Sequence, residues 1–184
     1  MKNSVKTRDL VYISLFAVLI TVCSWISIPF IVPFTMQTFA LFLAINFLGG
    51  KKGLIAITIY VALGAVGVPV FSGFTSGIGA LFGLNGGYIF GLIIAGLIAW
   101  AFEFIPGKKV VNRIFASIVG LLVCYATGTA WFIFIYARTV GIIGFWTAVL
   151  WCVVPFIIPD AIKLALACWL ASYLKKITLK RRGV

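Results

Sequence analysis

Only three residues of the 184 carry a side-chain carboxylate, Asp9, Glu103 and Asp160, and histidine is absent. Asp9 neighbours Arg8 and Glu103 precedes Lys108 and Lys109, whereas Asp160 lies with Lys163 inside the apolar stretch VVPFIIPDAIKLALACWLASYLKK. Three positions apart on a helix, Asp160 and Lys163 share one face. Counted back from Lys175 at 1.5 Å per residue, Lys163 stands about 18 Å and Asp160 about 22 Å along the helix, too deep to reach that end. An ionisable group at such depth in a bilayer is unfavourable by roughly 2.5–3.5 kcal/mol on insertion scales, so it faces a cavity or a partner. Two uses are open: ligand contact, or an internal ion pair that fixes a bundle. The first is the stronger motive, because apolar packing can replace a buried pair without loss of stability.

Further polar groups fall at the same level of the predicted helices. Asn85, Gly86, Gly87 and Tyr88 open a helix, where an Asn N-cap and free backbone N–H groups offer an anion or carbonyl site, or simply a cap. Gln37 with Thr35 and Thr38 adds an amide and hydroxyls near the start of another, and Tyr125, Thr129 and Trp131 add more from a third. Polar residues in membrane spans also bond to neighbouring helices, so each of these has a purely structural alternative. No GxxxxGK[ST] loop and no working pair of carboxylates is present, which argues against an enzyme and against self-powered transport. A proton-coupled carrier or exporter using Asp160 remains the alternative.

The elements that must position these groups follow from composition. Hydrophobic residues make up 64% of the chain and charged ones 10%, too little polar surface to cover a soluble globule. In lipid the backbone must satisfy itself, so the spans are helical, and a crossing takes about 20 residues. Polar breaks place helices near 10–28, 33–49, 52–69, 86–105, 111–137 and 147–174. The fold class expected is an all-α membrane protein, a bundle of six transmembrane helices forming one integral membrane substrate-binding domain over 1–184. The basic start and the run from Leu10 to Ile28 do not read as a signal peptide, because the run is long enough to span and no small-residue cleavage site follows.

A net charge of +12 would suggest nucleic acid in a soluble protein; here thirteen of the fifteen basic residues flank the spans. Lys2, Lys6 and Arg8 precede the first helix, Lys51 and Lys52 join the second and third, Lys108, Lys109 and Arg113 join the fourth and fifth, and Lys175, Lys176, Lys180, Arg181 and Arg182 close the chain. With six helices all of these fall on one side, which places both termini in the cytoplasm. The opposite connections, 29–37 and 68–85, are uncharged and rich in proline, glycine and aromatics. The second, with Gly73, Gly77, Gly79 and Gly83, can fold over a ligand or merely cap a hairpin. Ser14, Ala17, Thr21 and Ser24 make a small-residue stripe on the first helix, suited to close approach by another helix of this chain or of a partner. Cys23, Cys124, Cys152 and Cys168 lack metal-ligand spacing and read as small core residues.

Taken together, PFTMQTFALFLA (33–44), GVPVFSGFTSGIGALFGLNGGYIFG (67–91), YATGTAW (125–131) and VPFIIPDAIKLALA (154–167) resemble the BioY family, the biotin-specific S components of energy-coupling factor (ECF) transporters. The resemblance implies a cell-membrane protein that captures biotin from outside with high affinity, as the substrate-binding subunit of an ATP-driven importer. Its partners would be a transmembrane coupling protein and two ATP-binding subunits, with no nucleic acid. It assigns substrate contact to Asp160 and Lys163, and to Asn85, Gly86 and Tyr88 of a GxxGGY-like turn in which Asn85 stands where many members carry threonine. Ala17 and Thr21 stand for the family's AxxxA partner-docking pattern. Biotin asks for aromatic walls, an acceptor and a donor for its ureido group, and a cation for its carboxylate. Asp160 or Gln37, Asn85 and Lys163 can supply these, with Thr35 beside them and Lys163 expected to face the carboxylate.

Overall fold

The computed structural model describes residues 7–180; Lys2, Lys6, Arg181 and Arg182 of the basic flanks lie outside the described residues. The chain runs α1 (Thr7–Trp25), a short antiparallel ladder of β1 (Ser27–Ile28) and β2 (Phe34–Thr35), α2 (Gln37–Leu48), α3 (Gly50–Val66), α4 (Gly77–Phe82), α5 (Gly86–Ala101), α6 (Lys109–Thr139), α7 (Phe145–Cys152) and α8 (Val154–Lys180). Single 3-10 turns lie at Ser72–Phe74 and Phe102–Phe104. It is an all-α membrane protein in all but that ladder, in which Ser27 pairs with Thr35 and Ile28 with Phe34. Helical segments over Thr7–Trp25, Gly86–Phe104, Lys109–Thr139 and Phe145–Thr178 are long and apolar enough to cross a membrane, while α2, with 12 residues, is shorter than a crossing needs.

Two expected elements differ. The second helix starts at Gln37 instead of 33, because the chain before it folds back through the ladder, with Met36 N–H donating to Ile26 O at 3.1 Å. The last helix, expected as one piece over 147–174, is parted at Val153 (φ −125°, ψ −55°) into α7 and α8. Pro155 explains the break: it brings no N–H to the carbonyl of Trp151, yet in the first turn of α8 that N–H is not needed. Pro159, inside α8, likewise leaves the carbonyl of Pro155 without a helical donor, one residue before Asp160.

Packing is densest between α5 and α6 and between α2 and α8. The α5–α6 approach needs Gly91, where a Cβ would stand 2.8 Å from Thr127 Oγ1 and 2.9 Å from Cys124 Sγ. One end of the bundle gathers the basic residues. There Lys52 pairs with Asp9 at 2.8 Å. Glu103 accepts from the N–H groups of Gly50 (2.8 Å) and Lys51 (3.4 Å) at the start of α3, where a carboxylate complements the helix dipole, and meets Arg113 at 3.4 Å. At the opposite end Ser24 Oγ donates to Val70 O and Trp25 Nε1 donates to Pro69 O at 2.9 Å, which fastens the 68–85 segment to α1.

Candidate functional site

A cavity of about 280 Å³ opens at that opposite end, just under the lower bound of roughly 300 Å³ for small-molecule sites. Its walls come from α2, α3, α5, α6, α7, α8 and both long connections. Apolar and aromatic surface dominates, from Val32, Phe71, Leu84, Ile89, Leu121 and Phe156.

At one pole of the cavity sits the α8 pair. Asp160 and Lys163 are 3% and 4% exposed, so neither charge is solvated by bulk water. Their burial is compensated in full view of the cavity. Lys163 Nζ donates to Asp160 Oδ1 at 2.9 Å and to the Thr35 carbonyl at 2.6 Å, lies 3.4 Å from Thr38 Oγ1, and stands 3.8 Å over the Phe34 ring. Thr38 Oγ1 donates to Asp160 Oδ1 at 2.9 Å, and Tyr125 Oη donates to Oδ2 at 2.6 Å. A buried ion pair of this kind persists when its remaining donors and lone pairs are satisfied; here Asp160 has three donors, and of the Lys163 protons only the one 3.4 Å from Thr38 Oγ1 is weakly held. The pole is therefore electrically neutral, and the internal ion pair that the spacing of Asp160 and Lys163 left open is formed.

A second polar cluster faces the same space. Gln37 Nε2 donates to Tyr60 Oη at 3.0 Å, and Tyr60 is fully buried. Asn85 occupies the N-cap position of α5, but its φ and ψ of −95° and 0° are helical, and its side chain makes no cap bond. The expected Asn cap is thus corrected: capping by a side-chain oxygen requires extended backbone at that residue. Two N–H groups of the first turn are already taken, Gly86 N–H by Gly83 O and Tyr88 N–H by Asn85 O, both at 3.1 Å. Asn85 Oδ1 is left buried without a partner on the cavity wall. A buried amide oxygen without a donor is unfavourable by about 1–3 kcal/mol, and a ligand N–H would relieve it.

Most of the residues singled out in the sequence meet on this wall: Asp160, Lys163, Asn85, Tyr88, Gln37 and Thr35 all line the cavity. Gly86 does not. Its Cβ would stand 1.7 Å from the carbonyl oxygen of Leu81, so glycine there lets α4 fold onto the start of α5. Trp131 and Thr129 also lie behind the wall, Trp131 Nε1 donating to Gly83 O at 3.0 Å and Thr129 Oγ1 lying 3.5 Å from Tyr88 Oη. Ala17, Thr21 and Ser24 are buried by the chain itself at 3%, 7% and 0% exposure, where α1 packs on α2 and α3. In this conformation that face is not open to a partner, and only Ser14 of the stripe is exposed.

A family model described as the BioY family matches residues 1–180. The chain belongs to the BioY family. The biotin transporter BioY of Thermotoga maritima is 36% identical over 188 residues, covering 95% of this chain and 99% of its own length. The probable biotin transporter BioY of Pyrococcus horikoshii is 40% identical over 171 residues, covering 92% and 98%. Among solved structures, the S-component for biotin from an ECF-type ABC transporter, a 2.1 Å crystal structure, superposes with a TM-score of 0.79 over 96% of this chain and 95% of that one. At 24% identity this likeness speaks for the fold.

Several residues of this cavity carry no signal in the sequence. Tyr60 sits in a helix with no neighbouring polar residue on its face to flag it, and Phe34 becomes a cation–π partner only through the β1–β2 ladder. Cys152 and Phe156 reach the wall because the chain breaks at Val153, a break that the proline alone signalled. The 68–85 segment does fold over the cavity. Phe71, Ser72, Thr75, Ala80, Gly83 and Leu84 line it, and Gly73 and Gly77 take positive φ of 67° and 80° at its turns.

Proposed function

We propose that this chain, as one substrate-binding domain, captures biotin in the cavity between α2, α5, α6 and α8 and acts as the substrate-binding subunit of an ATP-driven vitamin importer. Membership of the BioY family supports the ligand, and the curated relatives carry the name of biotin transporters. The observation that carries the reading is the set of polar groups on one apolar-walled cavity: an acceptor in Asp160 and a donor in Lys163 at the neutral pole, and an orphaned acceptor in Asn85 Oδ1 in the second cluster. A ureido group presents two N–H donors and one carbonyl, which is the complement of that set. The pole then reads the ureido ring, and the apolar walls hold the thiophane ring and chain.

The protein would sit in the cell membrane with six crossings, α7 and α8 together forming the last, and with both termini cytoplasmic. The basic end of the bundle supports that orientation, since short cytoplasmic loops carry excess lysine and arginine. The cavity then opens outward. A transmembrane coupling protein and two ATP-binding subunits would supply the power stroke, consistent with a sequence that carries no phosphate-binding loop. The rival proton-coupled carrier is weakened by the site, because Asp160 already accepts from Lys163, Thr38 and Tyr125. Equilibrium binding of labelled biotin to the purified chain, without any partner, tests the proposal. Saturable capture at one site per chain is expected, and absence of binding by a folded preparation would end it.

A further inference from the structure

A second recess, of about 300 Å³, lies at the basic end, between the stretch of α8 from Cys168 to Lys176 and the first two turns of α6. Arg113, Lys175 and Lys176 line it together with the apolar side chains of Val110, Ile114 and Ala171. These helices scarcely touch each other, so the recess is a gap in the bundle wall bounded at its back by Asn46 of α2. The surfaces beside it are apolar and exposed, Val111 at 43% and Phe115 at 57% on α6 and Trp169 at 66% on α8, as expected where helices face lipid.

The charges in the recess are poorly balanced. Lys175 Nζ donates to the Asn46 carbonyl at 2.5 Å, which supplies no counter-charge. Arg113 reaches Glu103 only at 3.4 Å through Nη2, and that carboxylate already accepts from two backbone N–H groups. The Nε of Arg113 is buried without any partner. Three cations, a buried unmet donor and apolar walls that open toward lipid call for an anion with an apolar tail. We propose that this recess binds a phosphate group, and that its source is the headgroup of an anionic phospholipid whose acyl chains lie against α6 and α8. Basic pockets between transmembrane helices take such headgroups on general electrostatic grounds.

The test uses the full chain in neutral detergent, titrated with phosphatidylglycerol, phosphatidylcholine or inorganic phosphate, with bound lipid read by native mass spectrometry and stability by thermal unfolding. At roughly 1 kcal/mol per basic residue, the double variant Lys175→Gln, Lys176→Gln should bind phosphatidylglycerol about ten- to thirtyfold more weakly and phosphatidylcholine unchanged. Lys108→Gln with Lys109→Gln removes the same charge from the same end outside the recess, and should leave phosphatidylglycerol binding within about twofold of wild type. Equal losses in the two double variants would mean diffuse surface attraction and overturn the site. Inorganic phosphate that displaces phosphatidylglycerol and stabilises the chain as strongly would assign the recess to a free anion instead of a lipid. Should the double variant fail to unfold cooperatively, Lys176→Gln alone keeps the Lys175–Asn46 bond and should still weaken phosphatidylglycerol about fivefold; unchanged binding there would refute the proposal.

Discussion

If the neutral pole reads the ureido ring, replacing Lys163 must change which ring the cavity prefers, and leave its response to the carboxylate alone. Lys163→Met keeps length and apolar volume but removes the donor that stands 2.9 Å from Asp160 Oδ1 and 2.6 Å from Thr35 O. Asp160 then keeps Thr38 and Tyr125 as donors but loses its counter-charge, and the fold should weaken by about 3–5 kcal/mol, as when one partner of a buried pair is removed. Biotin should lose a charge-assisted bond of about 1.5–3 kcal/mol, a drop of roughly ten- to hundredfold in affinity. A loss of that size alone does not separate reading from general damage, so the decisive quantity is a ratio between ligands. In 2-iminobiotin an imino nitrogen replaces the ureido carbonyl oxygen, which makes the ring a guanidinium, cationic at neutral pH; wild type should reject it, because it turns a donor and a positive charge toward Lys163. In Lys163→Met the same group faces an uncompensated Asp160, so the preference for biotin should collapse or invert. Biotin amide, which lacks only the carboxylate, should keep the same ratio to biotin in both proteins. Titration calorimetry on the purified variants measures all three ligands. A biotin-to-amide ratio that falls tenfold while the biotin-to-iminobiotin ratio stays fixed would show that Lys163 holds the carboxylate, and the reasoning from the neutral pole would be refuted.

Asn85→Leu should weaken biotin by about 0.5–1.5 kcal/mol, roughly two- to twelvefold, yet leave ligand-free thermal stability unchanged or higher, because Oδ1 has no partner to lose; a lower melting temperature would contradict this. Ala17→Trp should lower the stability of the solitary chain by about 1–3 kcal/mol or more, through overpacking of a 3% exposed position, and an unchanged melting curve would return that face to a partner. Cysteine placed at Ile78, 67% exposed in the segment over the cavity, should react with an impermeant maleimide in intact cells, and reaction only after permeabilisation would reverse the orientation.

What could be read in advance divides along a physical line. Rare groups in the wrong solvent declare themselves one at a time, which is why Asp160 and Lys163 were identifiable in a stretch of apolar residues. Thr35, Thr38 and Tyr125 could be placed at the same level, but not their bonds to the pair, because Thr35 and Phe34 reach Lys163 only when the chain before α2 folds back, and Tyr125 reaches Asp160 from a helix 35 residues away. Helix boundaries in the apolar runs were legible to within a few residues, since α5 and α6 begin at 86 and 109 against expected starts of 86 and 111. Glycine was the ambiguous letter. The same Gly-Gly-Tyr turn that resembles a binding motif places Tyr88 on the wall, while Gly86 and Gly87 admit Leu81 and Trp131 at distances no Cβ would tolerate. A stripe of small residues has the same ambiguity, for it permits close approach without naming the helix that approaches, and on α1 that helix belongs to this chain. Spacing thus fixes which side chains share a face, and packing decides whether that face meets a ligand, a partner or the rest of the fold. In this site the decision shows in the satisfaction of each polar atom: Lys163 and Asp160 hold one another, while Asn85 Oδ1 is buried without a partner, which is why the proposed reading gives it a ureido N–H.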